Sequence, residues 1–289
     1  MMIYRLLAMN IDGTVLQSNG KVDKTVKDAV EFAREKGIIV TLVTGRNFSF
    51  SKKIARTLSI PSLLITHHGA FIASSVDQAI FVKRLDEEMI EDLLLFLEAL
   101  SAQIRVIHEK ITVSNERTKG NLRSRTMLDL TDFGTYQHRF VENISQCVVD
   151  EQIHPTHIEV LLSSEPEAEE VKKAIHGMFE VNVHQYKNKL VILPEGVSKL
   201  NGFLYACDYW NISLKECVMI GSGMDDLEMI RSAGLGVAMG NAPEEVREEA
   251  DWVTRSNNDK GVHYMVYEHF RKQYPLDFIQ QISTKLNKS

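Results

Sequence analysis

Ile3-Tyr4-Arg5-Leu6-Leu7-Ala8-Met9-Asn10-Ile11-Asp12-Gly13-Thr14 is an apolar run that stops abruptly in a polar cluster. Such a run reads as a buried parallel strand. The cluster lies just past its carboxyl end, where open α/β sheets bind ligands. Side chains two apart on a strand point the same way, so Asn10 and Asp12 share a face if extended geometry persists that far. Gly13 then permits a sharp departure of the chain.

The flanking sequence repeats this design. Val22 to Lys36 has apolar residues at helical spacing, with Asp23 placed to cap the start and Gly37 to end it. Ile38 to Val43 is a second apolar run that leads into Thr44-Gly45-Arg46-Asn47. A helix to about Leu58 and a third strand around Leu63 to Thr66 complete a β-α-β-α-β pattern, which predicts a parallel, helix-covered sheet. A hairpin is expected to about Lys83. From about Leu85 the strict alternation is lost until about residue 187, so residues 85–186 read as an inserted α+β domain. Within it, residues 126 to 155 follow no clear pattern. Alternation resumes with a strand at Leu190 to Leu193 and a helix from Ser198. A strand then ends in Gly221-Ser222-Gly223-Met224-Asp225-Asp226, and another ends in Gly240-Asn241-Ala242. The expected class is α/β, a Rossmann-like parallel sheet core (1–84 and 187–289) with an inserted α+β cap (85–186).

Composition sets bounds on function. The chain has 289 residues, 44% hydrophobic and 25% charged, with a net charge of −6, so nonspecific nucleic-acid binding through bulk charge is not expected. Cys147, Cys207 and Cys217 show no metal-ligand spacing and fit a reduced, cytoplasmic setting. No signal peptide or membrane-spanning run is read, so no membrane partner is expected.

Four motifs in order resemble the haloacid dehalogenase-like (HAD) phosphohydrolases, in particular the Cof-type, class IIB branch with a cap between its second and third motifs. The resemblance implies that position 10 is the nucleophile and Asp12 the general acid/base. It implies that Thr44, with Gly45, holds phosphoryl oxygens and that Lys199 neutralises their charge. Asn241, in Ala238-Met239-Gly240-Asn241-Ala242, falls near the site. It also implies a magnesium ion, held at positions 10, 12, 222, 225 and 226, and a small phosphorylated metabolite as substrate.

Two motifs depart from the family pattern. Asn10 replaces the nucleophilic Asp, and in the fourth motif Ser222 replaces a metal-ligand Asp while Asp225 replaces an Asn; Asp226 matches. Magnesium prefers hard, usually charged oxygen ligands, and an amide is a poor nucleophile. Losing a nucleophile costs another hydrolase ~10⁶ in rate, about 8 kcal/mol. The expectation is a HAD scaffold with strongly reduced or lost phosphatase activity and a weak or absent magnesium site. Removing two family carboxylates also leaves Lys199 less compensated, which favours anion binding without metal. The alternatives are an active enzyme with rearranged ligands and a non-catalytic phosphoester-binding or regulatory protein.

Other features carry less. Gly221-Ser222-Gly223 and Gly234-Leu235-Gly236 do not complete a dinucleotide fingerprint. His68, at a strand end, reads as a loop histidine with a ligand-facing role as the alternative. His154-Pro155-Thr156-His157 reads as a turn before the next strand rather than a metal pair. The basic stretch Arg117-Lys119-Arg123-Arg125 reads equally as a solvated loop or as a contact to an anionic substrate.

Overall fold

The computed structural model describes residues 3–115 and 137–279. The first elements are β1 (Leu6–Met9), α1 (Lys24–Glu35), β2 (Ile39–Leu42), α2 (Phe48–Thr57), β3 (Leu64–Thr66), β4 (Phe71–Ser75) and β5 (Gln78–Val82). Next come α3 (Glu87–Glu98), β6 (Gln103–Ile107), β7 (Ile111–Asn115), β8 (Gln137–Val141), α4 (Ile144–Asp150), β9 (His157–Leu161), α5 (Glu165–Met178), β10 (Val181–Tyr186) and β11 (Lys189–Pro194). The chain continues through α6 (Lys199–Tyr209), β12 (Cys217–Gly221), α7 (Leu227–Ser232), β13 (Leu235–Ala238), α8 (Glu244–Glu248), β14 (Trp252–Val253) and α9 (Gly261–Phe270).

The central sheet runs β14-β13-β12-β1-β2 with every pairing parallel. β1 is buried along its length because helices cover both faces. Leu7 and Met9 pack with Val26, Ala29 and Val30 of α1 and Met265 and Val266 of α9. Leu6 and Ala8 pack with Phe203 and Ala206 of α6 and Met229 and Ile230 of α7. This two-sided burial explains the unbroken apolar run in the sequence, since each fully buried Leu or Met contributes about 1.5–3 kcal/mol. The third strand joins the sheet only at its edge. Val43 and Ile65 form a parallel bridge, and β3 continues antiparallel into the β4–β5 hairpin.

The insertion forms its own sheet, β10-β11-β9-β6-β7-β8, and among the described residues contributes no strand to the central one. One face is apolar: Ile104, Val106, Ile158, Val160, Leu190 and Ile192 pack beneath α3, α4 and α5. The opposite face carries Arg105, His157, Glu159 and Lys189 at the alternate positions. Val191 and Leu193 on that face pack against Ala70 and Val197 of the core.

Sheet membership corrects the expected boundary at residue 187. Lys189–Pro194 is not a core strand; it pairs antiparallel with both β10 and β9. Tyr186 and Lys189 close a two-residue turn at Lys187-Asn188, with Lys187 at φ 56°. That turn lacks glycine, so the sequence offers no hairpin signal there. The patternless stretch from 126 contains β8 and α4 in its described part, while the basic stretch Arg117 to Arg125 lies outside the described residues. Among the described residues no helix is long and apolar enough to cross a membrane.

One close approach positions the site. Gly69 has φ +95°, and a Cβ there would fall 2.1 Å from the carbonyl oxygen of Ser198. The turn after β3 therefore packs directly on the first turn of α6. The Ser198 hydroxyl caps that turn by accepting from Asn201 N–H at 3.1 Å. Lys199, the first residue of α6, is thereby fixed beneath the strand ends.

Candidate functional site

The loops after β1, β2, β3, β12 and β13 meet at the carboxyl edge of the central sheet. Asp226 lies at their centre and is completely buried. Its Oδ2 accepts from the Asn10 side-chain amide at 2.8 Å, Ser222 N–H at 2.9 Å and Gly223 N–H at 3.0 Å. Its Oδ1 accepts from the Lys199 ammonium at 2.9 Å. Burial pushes the Asp226 carboxyl up, and the pull of Lys199 and the Gly223 N–H opposes this. Among the described residues four donors and no acceptor bond to its oxygens, which fits the ionised form at neutral pH.

Lys199 is also buried, and Asp225 Oδ2 lies 2.5 Å from its ammonium. Burial opposes its charge, but Asp225 and Asp226 outweigh burial and hold its pKa above that of an ordinary lysine. This corrects one expectation: Lys199 is not under-compensated, because Asp225 supplies a carboxylate from the position where the family has an amide.

Asn10 is committed at both ends. Its amide donates to Asp226, and its Oδ1 accepts from Ile11 N–H at 2.7 Å. Asp12 is tied sideways in a two-pronged pair with Arg46, Nε to Oδ2 at 2.8 Å and a terminal nitrogen to Oδ1 at 2.7 Å. Such a fork holds a planar carboxylate in one orientation. The Arg46 guanidinium also lies 5.1 Å over the Phe50 ring, which steadies it further. Ser222 donates its hydroxyl to the backbone carbonyl of Asp12 at 2.9 Å, joining the loops after β1 and β12. Thr44 is buried, and its hydroxyl accepts from Arg46 N–H at 3.1 Å. Asn241 donates to the Gly13 carbonyl at 2.9 Å and accepts from Asn257 N–H at 2.9 Å, so both ends of its amide serve the loops. Asn10, Asp12, Lys199, Ser222, Asp225 and Asp226 thus form one bonded network, with Thr44 and Gly45 joined to it through Arg46.

The cap closes over this edge. A cleft of about 280 Å³ lies between the two parts, lined by Lys199, Asp225, Met224 and His68 below and by His184 and Tyr186 of β10 above. The Tyr186 hydroxyl is buried without a hydrogen-bond partner among the described residues. Gly45 makes room for His68: a Cβ at Gly45 would meet the imidazole at 2.3 Å. His67, His68 and Gly69 all have positive φ, a strained turn held by Arg46 and Thr44 carbonyls that accept from His67 and His68 N–H.

Sequence reasoning undervalued the histidines. His67 Nε2 accepts from Phe48 N–H at 3.0 Å, so its Nδ1 donates to Thr156 of the cap at 2.9 Å. The ring centroids of His68 and His157 are 5.4 Å apart across the same seam. His154 does lie before β9, but His157 is the first residue of that strand and faces the core. Only a strand register could have revealed this, since the two sides of the seam lie 89 residues apart in sequence.

Burial holds His67, His68 and His157 neutral, with pKa values well below the ordinary histidine range. Above pH ~6.5 neither folded nor unfolded chain protonates them; below it the unfolded chain takes up protons that the folded chain excludes. Stability should therefore fall with pH, by about 1.4 kcal/mol per unit for each histidine once well below 6.5. For the three together, urea titrations should show a loss of roughly 3–4 kcal/mol between pH 7 and 5.5. A flat profile over that window would mean that the histidines are solvated.

A family model described as haloacid dehalogenase-like hydrolase matches residues 7–266. The stress response protein YhaX of Bacillus subtilis is 40% identical over 288 residues, covering 98% of this chain and 99% of that protein. The 5-amino-6-(5-phospho-D-ribitylamino)uracil phosphatase YcsE of the same organism is 27% identical over 261 residues, covering 89% and 92%. A solved haloacid dehalogenase-like hydrolase from B. subtilis has a TM-score of 0.80 at 24% identity, covering 92% of this chain and 99% of that one.

Proposed function

The chain belongs to the haloacid dehalogenase-like hydrolase family, and on that premise we propose that it binds a small phosphorylated metabolite without hydrolysing it at a useful rate. The observation that carries this reading is the state of Asn10. The group at the nucleophile position is an amide whose N–H points at Asp226 and whose oxygen is held by Ile11. It offers no carboxylate to attack phosphorus.

The residues present do not suit magnesium. Both Asp226 oxygens are occupied by N–H donors and an ammonium, Asp12 is clamped by Arg46, and Asp225 is paired to Lys199. An octahedral cation needs oxygens free of such donors. Lys199 is the cation these two carboxylates already hold, and no step of the proposed function requires a magnesium ion here.

Phosphate recognition then depends on Lys199, Thr44 and the loop N–H groups, with the remainder of the metabolite in the cleft under His184 and Tyr186. The Tyr186 hydroxyl, without a partner among the described residues, supports a ligand there, since a buried donor left unpaired is costly. The YcsE relationship supports a small phosphorylated compound, because that relative is a phosphatase for one.

Calorimetric titration with inorganic phosphate tests the reading. Binding should be measurable without magnesium and weaken as salt rises. Asp225→Asn removes the carboxylate that competes with phosphate for Lys199, so it should tighten binding by about tenfold or more, about 1.4 kcal/mol. Binding that appears only with magnesium would contradict the proposal.

A further inference from the structure

We propose that His68, His157 and Glu159 form a site for a divalent cation of the zinc class, joining core to cap at a place distinct from the aspartate cluster. One ligand atom from each lies within 4.8 Å of the others; His68 and His157 are buried, and the Glu159 side chain is 12% exposed. A tetrahedral cation with ligands at about 2.0–2.2 Å sets its donors about 3.4 Å apart, so the side chains need draw in by little more than about 1 Å.

The donors are prepared for this. Thr156 gives its hydroxyl proton to the Ile107 carbonyl, at 3.0 Å, so toward His157 Nδ1, 3.2 Å away, its oxygen can only accept. His157 therefore carries its proton on Nδ1 and keeps the Nε2 lone pair. A histidine whose second nitrogen donates to a fixed acceptor is how proteins orient metal ligands. His68 stands in the strained turn over Gly45 and lines the cleft. Three protein donors beside an open cleft leave a fourth position for water or for a ligand oxygen.

The opposing charges are Lys189 and Arg105, both paired with Glu159, Arg105 at 3.2 Å, and Lys199, which faces His68 and is itself paired with Asp225 and Asp226. Arg105 is buried and stays; the Lys189 side chain is 27% exposed and can turn its ammonium to solvent. The surrounding ions otherwise balance, with Arg46, Lys199, Arg105 and Lys189 against Asp12, Asp225, Asp226 and Glu159. A divalent cation then adds an excess that a bound dianion such as phosphate offsets.

Cobalt(II) and zinc titrations of the full-length protein test the site, with cobalt read by its visible absorption. The wild type should bind one equivalent, with bands of a low-coordinate nitrogen and oxygen set. His68→Gln and His157→Gln should each weaken binding by more than about 100-fold, beyond the 10–100-fold that outer-shell changes cost. Lys189→Met, which frees Glu159, should tighten it. Circular dichroism melts without metal identify any variant that fails to fold; for such a variant the His→Asn version is used. Undiminished binding in both histidine variants, no gain in Lys189→Met, or no saturable binding by the wild type would each overturn the assignment.

Discussion

The double variant Asn10→Asp, Ser222→Asp should hydrolyse generic phosphomonoesters in the presence of magnesium at least about a thousandfold faster than the natural chain, recovering part of the ~10⁶ that loss of a nucleophile costs. Asn10 donates to Asp226 at 2.8 Å, so a carboxylate at position 10 would turn that hydrogen bond into a pair of facing carboxylates. Ser222 donates to the Asp12 carbonyl at 2.9 Å, so an Asp there would turn a second donor into an acceptor. The network would then present oxygens where it now presents hydrogens, which is the condition for holding magnesium. Thr44, Lys199 and Asp12 are already in place. Asn10→Asp alone should gain little, because the new carboxylate repels Asp226 while the cation remains poorly held. The two changes act on one constellation and should not be additive. The double variant should also melt at a temperature that rises with magnesium, as linkage requires, whereas the natural chain should not. A double variant that stays inactive while folded and magnesium-responsive would show that more than these two positions has changed.

Lys199→Met should cost about 3–5 kcal/mol of stability, the range for leaving buried charge uncompensated. Lys199 is the only ammonium touching Asp225 and Asp226 among the described residues, at 2.5 and 2.9 Å. Methionine keeps the apolar stem but leaves two adjacent carboxylates facing each other, one of them completely buried. The loss should shrink on acidification, because protonating one carboxylate removes the repulsion. Adding Asp225→Asn to Lys199→Met should recover part of it at neutral pH. Chemical denaturation of the three proteins at pH 7 and pH 5 measures both effects. A Lys199→Met cost below ~1 kcal/mol would mean that the ion pairs are solvent-screened rather than structural.

Much of the architecture was legible because strand burial writes itself into sequence. β1 and β12 read as apolar runs since both faces are covered, and α1 showed both its spacing and its Asp23 cap, which accepts from Thr25 N–H at 2.8 Å. The motif residues announced which loops converge. What could not be read was pairing. β11 is an apolar run buried on both faces, as a central strand would be, and only its register with β10 and β9 places it in the cap sheet. The role of Asp225 was hidden too. As a residue type it suggested a metal ligand, but in space it is the partner of Lys199. The histidine seam depends on contacts between segments far apart in the chain, and single-sequence periodicity carries no trace of them.

Whether the scaffold binds phosphorylated metabolites without hydrolysing them, as proposed, is decided by a steady-state phosphatase assay of the natural chain with magnesium and a panel of small phosphomonoesters. No turnover that changes with Asp12→Ala is expected. Robust magnesium-dependent turnover that Asp12→Ala abolishes would contradict it and establish an active enzyme with rearranged ligands.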